Sequence, residues 1–99
     1  MEIKTENKGN MYVAETTITT LVDFTSRFVG NFNQNIVALK STPYITTMDK
    51  NINAKSILGL LSADIRKGDT IKVQTINNTS CEQAESDLNY TVDLINGIA

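Results

Sequence analysis

Apolar positions change their spacing several times along this chain, and each change marks an element. From Met11 to Leu21 the residues are rich in Thr, Val and Ile. Tyr12, Ala14, Thr16, Ile18 and Thr20 fall on one side, with Val13, Glu15, Thr17, Thr19 and Leu21 on the other. This imperfect period of two, carried by good strand formers, predicts a β-strand. Phe24, Phe28, Phe32 and Ile36 then recur every four residues, with Val29 beside them and Asn31, Asn33 and Asn35 between. That spacing predicts an amphipathic helix of about three turns. Asp23, Thr25 and Ser26 are candidate N-caps, and Thr25 or Ser26 fits best because the apolar stripe begins just after them.

Pro43 ends any helix before it. Tyr44–Met48 reads as a strand, Asp49-Lys50-Asn51 as a tight turn and Ile52-Asn53-Ala54 as a short return strand. Ser56 reads as the N-cap of a short helix over Ile57–Ala63, and the chain turns at Gly68 in the loop Ile65–Asp69. Thr70–Ile76 alternates cleanly, with Ile71, Val73 and Thr75 on one face, and Asn77-Asn78-Thr79 reads as a turn. The last helix is the best marked. Ser80-Cys81-Glu82-Gln83 has the pattern of a capping box, Ala84, Leu88, Val92 and Ile95 form its apolar stripe with Thr91 flanking, and Gly97 is its terminator. The expected order is β-α-β-β-α-β-α. Two-layer packing makes this an α+β open-faced sandwich, with a four-stranded, mainly antiparallel sheet and three helices on one face. Residues 1–10 are polar, contain Gly9, and are expected to be a flexible extension, leaving one folded domain over 11–99.

Composition narrows the function classes. The 99 residues suffice for one modest core. A net charge of −2, with Lys and Arg scattered, argues against nucleic-acid binding. The lone Cys81 can close no disulfide within the chain. The first eight residues carry charges where a signal peptide has an apolar run, and no apolar run is long enough to span a membrane, so the expected location is cytoplasmic.

The chain contains no histidine. It therefore has no phosphohistidine, no Cys-His or Ser-His pair and no imidazole metal ligand. One Cys without His disfavours zinc, and the five glycines are too far apart for a phosphate loop. Neither a metal nor a cofactor is expected, and no catalytic constellation can be assembled. Glu82, Glu85, Asp87 and Asp93 read as a solvated helix face. Cys81, in the first turn of the last helix, reads as a half-buried small residue.

The informative stretch runs from Asn53 to Ile65. Its short helix carries apolar residues at 57, 58, 60, 61 and 65, more than one buried stripe accounts for. The surplus next to a capping serine suggests a docking patch. A phosphate on Ser56 would meet unpaired amides and bring roughly −1.5 to −2 charges to that patch. The plainer alternative makes Ser56 only a cap and the leucines only core.

These residues resemble a known family. Asn53-Ala54-Lys55-Ser56-Ile57-Leu58-Gly59-Leu60-Leu61-Ser62, the Lys67-Gly68 turn and the Ile71–Val73 strand are similar to the regulatory-serine region of HPr and its paralogue Crh, phosphocarrier-related proteins of the sugar phosphotransferase system. The resemblance covers roughly residues 12–97 and implies the same open-faced sandwich. The family's other motif, His-x-Arg-Pro, is represented by Thr25-Ser26-Arg27-Phe28, with Thr25 at the histidine position and Arg27 as the motif arginine. A threonine phosphoester is too stable to relay phosphate as a phosphoramidate does. The resemblance thus implies a regulatory, non-enzymatic protein that has lost the relay. Ser56 would be the acceptor for an HPr kinase/phosphorylase, and the phosphorylated form a corepressor of a LacI-type catabolite regulator. Lys55, Ile57, Leu58, Leu60 and Leu61 would form the partner-binding surface. The other reading is an HPr-fold interaction module that is never phosphorylated. A monomer or weak dimer is expected; the strand at 12–20 is expected at a sheet edge, where it could be exchanged between chains. The Arg-Pro-Ala that Crh-like proteins keep is replaced here by Arg27-Phe28-Val29.

Overall fold

The computed structural model describes residues 2–97. Met1, Ile98 and Ala99, the outer ends of the expected extension and domain, lie outside the described residues. The elements are β1 (Lys4–Lys8), β2 (Met11–Thr19), α1 (Ser26–Ile36), β3 (Thr42–Thr47), β4 (Lys50–Asn53), α2 (Ile57–Ser62), β5 (Thr70–Asn77) and α3 (Cys81–Asn96). The expected α+β sandwich is present, with one correction: the sheet has five strands, in the order β1-β2-β5-β3-β4, and every pairing is antiparallel.

The added strand overturns the flexible extension and takes the strand expected at 12–20 off the sheet edge, since β2 lies between β1 and β5. Lys4–Lys8 pairs with Glu15–Met11 through a two-residue loop at Gly9-Asn10. Gly9 has φ +63 while Asn10 does not enter the left-handed region, the pattern of a type II′ hairpin turn, which favours glycine at its first central position. Lys4, Glu6 and Lys8 keep the outer edge charged and exposed, which discourages further pairing there.

Alternation along the strands decides which face the helices cover. Ala14, Thr16 and Thr20 on one side of β2 and its extension, Ile71, Val73 and Thr75 on β5, and Ile45 on β3 are all buried. They meet Val29, Phe32 and Ile36 of α1 and Ala84, Leu88, Val92 and Ile95 of α3, stripes expected from the sequence, together with Leu60 of α2. β3 starts two residues earlier than expected, at Thr42, and takes in Pro43. The Pro43 carbonyl accepts the Ala54 amide at 2.8 Å on the side away from β5. A strand residue's N–H and C=O point to the same side, so the missing proline N–H costs the β5 ladder nothing. The hairpin turn falls at Met48-Asp49, not 49–51, because Thr47 pairs with Lys50. Asn77 closes β5 instead of opening a turn. Buried at 4% exposure, its side-chain oxygen accepts the amides of Thr79 and Ser80 at 2.8 and 3.0 Å.

The solvated face expected on α3 also needs correcting. Asp87 is buried. Its carboxylate accepts the Ser41 amide at 3.0 Å and the Gln83 side-chain amide at 2.9 Å, while the Ser41 hydroxyl accepts from the Asn77 side chain at 2.8 Å. The carboxylate thus ties the entry of β3 to α3. Gln83 is drawn into this network, so only one arm of the capping box forms: Ser80 Oγ accepts the Gln83 amide at 3.0 Å. Gly97 ends α3 in the left-handed conformation, as the sequence predicts. Cys81 is half-buried.

Candidate functional site

Two helix starts carry the candidate residues. At α1, Thr25 is the N-cap. Its backbone is extended and its hydroxyl accepts the Phe28 amide at 3.2 Å, so Thr25 and not Ser26 fills the role. The loop leading to it is pinned on two sides. Thr20 exchanges backbone bonds with Asp69 and Gly68, each at 2.9 Å, and the Phe24 amide donates to Ile65 at 2.9 Å. The Lys67 amide donates to the Asp23 carboxylate at 2.8 Å, and the Leu21 amide to the Asn96 side chain at 3.1 Å. Thr25 therefore sits on a fixed platform.

Its chemistry is limited. Thr25 lines a shallow cleft with Asp23, Phe24, Asp64, Ile65 and Arg66. Arg66 is paired with Asp64 at 3.3 Å, and Arg27 is exposed with no ion pair among the described residues. The cleft holds two carboxylates and one guanidinium, and no lysine or histidine lines it to take a proton from the hydroxyl. Beneath Thr25, Phe28 stacks on Phe32 with ring centres 5.6 Å apart and leans on Phe24 at 4.8 Å. The four-residue spacing of these rings marked them as a stripe, and their mutual stacking is what the structure adds.

At α2, Ser56 is the N-cap, as expected. The exposed hydroxyl accepts the Gly59 amide at 3.1 Å. The helix runs six residues and ends at Ser62, with Asp64 beyond it at φ +51. Ile57 and Leu58 are exposed, at 42% and 78%, as a docking patch requires. Leu60 does not join them. It is fully buried, correcting its place in the expected partner-binding surface, and Leu61 is half-buried against the core. At 3.6 residues per turn Leu60 lies roughly 200° around the helix from Leu58, so with Leu58 turned to solvent Leu60 turns to the core. Lys55 is committed elsewhere: its ammonium donates to the Leu39 carbonyl at 3.2 Å, near the end of α1. Asn33, a polar position between the apolar ones of α1, donates to the Lys55 carbonyl at 2.8 Å and fastens the start of α2 to α1. No periodicity signals such a side-chain bond to backbone.

No cluster of metal-ligating residues occurs among the described residues, and no helix among them is long and apolar enough to cross a membrane.

Residues 13–94 match the family described as "PTS HPr component phosphorylation site". Two phosphocarrier proteins HPr from Neisseria meningitidis, of serogroups A and B, are 33% identical over 72 residues, which is 73% of this chain and 76% of each relative. Among solved structures, the phosphocarrier protein HPr from Bacillus anthracis superposes with a TM-score of 0.73 at 24% identity, covering 84% of this chain and 96% of that one. HPr-C-His from Thermoanaerobacter tengcongensis gives 0.64 at 24% identity, covering 86% and 97%. These two structures speak for the fold.

Proposed function

The chain belongs to the PTS HPr family, and from that premise we propose that it is a regulatory, Crh-like, non-enzymatic member that signals through phosphorylation of Ser56. The observation that carries this reading is the exposed Ser56 hydroxyl at the start of α2, next to the exposed Ile57 and Leu58. The histidine relay is absent from the reading because the sequence has no histidine, and Thr25 at that position is engaged as a helix cap. A phosphate on Ser56 changes the charge beside an apolar patch by roughly −1.5 to −2 and alters which partner accepts it. The partners in this reading are an HPr kinase/phosphorylase and a LacI-type catabolite regulator, met in the cytoplasm. Ile57 and Leu58 make the contact, flanked by Leu61, and Lys55 holds the approach to α2 in place.

A second reading, an interaction module that is never phosphorylated, is favoured by one observation: the Ser56 hydroxyl is fully accounted for as the cap of α2. Intact-mass spectrometry after incubation with HPr kinase and ATP, in parallel with enzyme I and phosphoenolpyruvate, separates the two. One added phosphate from the kinase, absent in Ser56→Ala and absent with enzyme I, is the result expected. No phosphate from the kinase leaves the second reading, and phosphate from enzyme I overturns both.

A further inference from the structure

Ser56 is exposed, yet three hydrogen bonds fix its direction. The peptide group that joins Lys55 to Ser56 is held at both ends. Its carbonyl accepts the Asn33 side-chain amide at 2.8 Å, and its N–H donates to the Asn53 carbonyl at 2.9 Å. A trans peptide is planar, with its C=O and N–H on opposite sides. Holding both fixes the plane, and with it the backbone from which the Ser56 side chain leaves. The third bond, from the Gly59 amide to Oγ at 3.1 Å, selects the side-chain rotamer.

Of the three, only the Asn33 bond comes from outside the segment 53–59. Asn33 is half-buried on α1, so its bond sets Ser56 relative to that helix. A second bond runs the other way: the Lys55 ammonium donates to the Leu39 carbonyl at 3.2 Å, just past the end of α1. Side chains thus join α1 and the Lys55–Ser56 peptide in both directions. Asn35 shows that reaching across is not what an asparagine on this helix does by default. It is exposed, and its side-chain amide turns back to the Asn31 carbonyl of its own helix at 2.8 Å.

We infer that Asn33 is a positioning residue for the phosphorylation of Ser56, a role that rests on the phosphorylation reading itself. In that step Oγ bonds to the γ-phosphorus of ATP, its proton passes to a base on the kinase, and ADP leaves with the electron pair of the broken bond. A hydroxyl that must meet the phosphorus in line gains rate from being held beforehand and loses it when its carrier swings. Asn33 does not touch the hydroxyl; it acts through the Lys55–Ser56 peptide. Its loss therefore falls on the chemical step, whereas docking belongs to Ile57 and Leu58.

The test uses the full chain as the varied substrate of HPr kinase with ATP. It compares the wild type with Asn33→Ala, Asn33→Asp and Asn35→Ala. Asn33→Asp keeps the size of the side chain and replaces its donor with an acceptor. Both Asn33 variants are expected to lower kcat about three- to tenfold, the loss of one hydrogen bond, with KM held within about twofold. Asn35→Ala is expected to keep the parent kcat. Folded Asn33 variants with the parent kcat overturn the assignment. So does a loss in KM alone, or an equal loss in Asn35→Ala. If circular dichroism shows Asn33→Ala unfolded, Asn33→Asp decides; if both are unfolded, Asn33 is structural and the assignment falls. A wild type that takes no phosphate overturns the phosphorylation reading and this role with it, a result distinct from a phosphorylated wild type whose kcat is indifferent to Asn33.

Discussion

The Ser56 hydroxyl and the Gly59 backbone are fitted to each other. Ser56 Oγ accepts the Gly59 amide at 3.1 Å, and a Cβ added at Gly59 would lie 3.1 Å from that same oxygen and 3.0 Å from Cγ2 of Ile52. The glycine therefore lets the cap and β4 close on the first turn of α2. Ser56→Ala is expected to lower stability by about 0.5–2 kcal/mol and Ser56→Asp by less, since Asp also caps. Gly59→Ala is expected to destabilise as well, because the crowding outweighs the ~1 kcal/mol of helix propensity that alanine brings. Urea midpoints of the three variants check the order; a stabilised Gly59→Ala would show that Ser56 and Ile52 can give way.

Thr25 and Ser26 offer the same chemistry one residue apart, and only Thr25 makes the cap bond, to Phe28 at 3.2 Å. Thr25→Ala is expected to cost about 0.5–2 kcal/mol, and Ser26→Ala, on the exposed first turn, within about 0.5 kcal/mol. Thermal melts of the two variants decide it. Equal losses would mean that the cap is shared.

Asp87 gives a sharper case. With its carboxylate removed, the Ser41 amide loses a partner in a buried setting. Leaving such a donor unsatisfied costs about 1–3 kcal/mol, so Asp87→Ala is expected to destabilise by at least that range. Glu85→Ala, at an exposed position on the same helix, is expected to move stability by no more than about 0.5 kcal/mol. Chemical denaturation of both variants tests the contrast.

Asp87 also shows where the sequence stops being legible. The stripes of α1 and α3 and the alternation of β5 could be read because burial imposes a period on them. The caps of α2 and α3 could be read because Ser56 and Ser80 stand directly before their helices, and the cap of α1 was narrowed to Thr25 or Ser26. Asp87 could not, since a carboxylate on a helix looks solvated until the amide of Ser41, 46 residues away, is brought to it. β1 was missed for another reason. Its residues are all exposed and carry no alternation, and Gly9-Asn10, the one hairpin signal, follows a wholly polar run. At the candidate site, the Ser56 cap was legible. The inward turn of Leu60 was not, because a six-residue helix is too short to fix its own phase from sequence.

Leu58 and Leu60 separate stability from docking. Leu60 is fully buried in the core, and Leu58 is 78% exposed two residues earlier. Leu60→Ala removes buried methyls and leaves a cavity, so a loss of about 2–5 kcal/mol is expected. Leu58→Ala leaves no cavity and is expected to stay within about 0.5 kcal/mol of the parent in a urea melt. The order reverses for a partner that docks on α2. Truncating an exposed apolar anchor there costs more than ~1 kcal/mol of binding, so the rate at which HPr kinase modifies a folded Leu58→Ala chain at subsaturating concentration is expected to fall by about fivefold or more. A Leu58→Ala chain phosphorylated at the parent rate would move the contact off this helix face. The search would then turn to Phe28, whose half-buried ring stacks beneath the Thr25 cap.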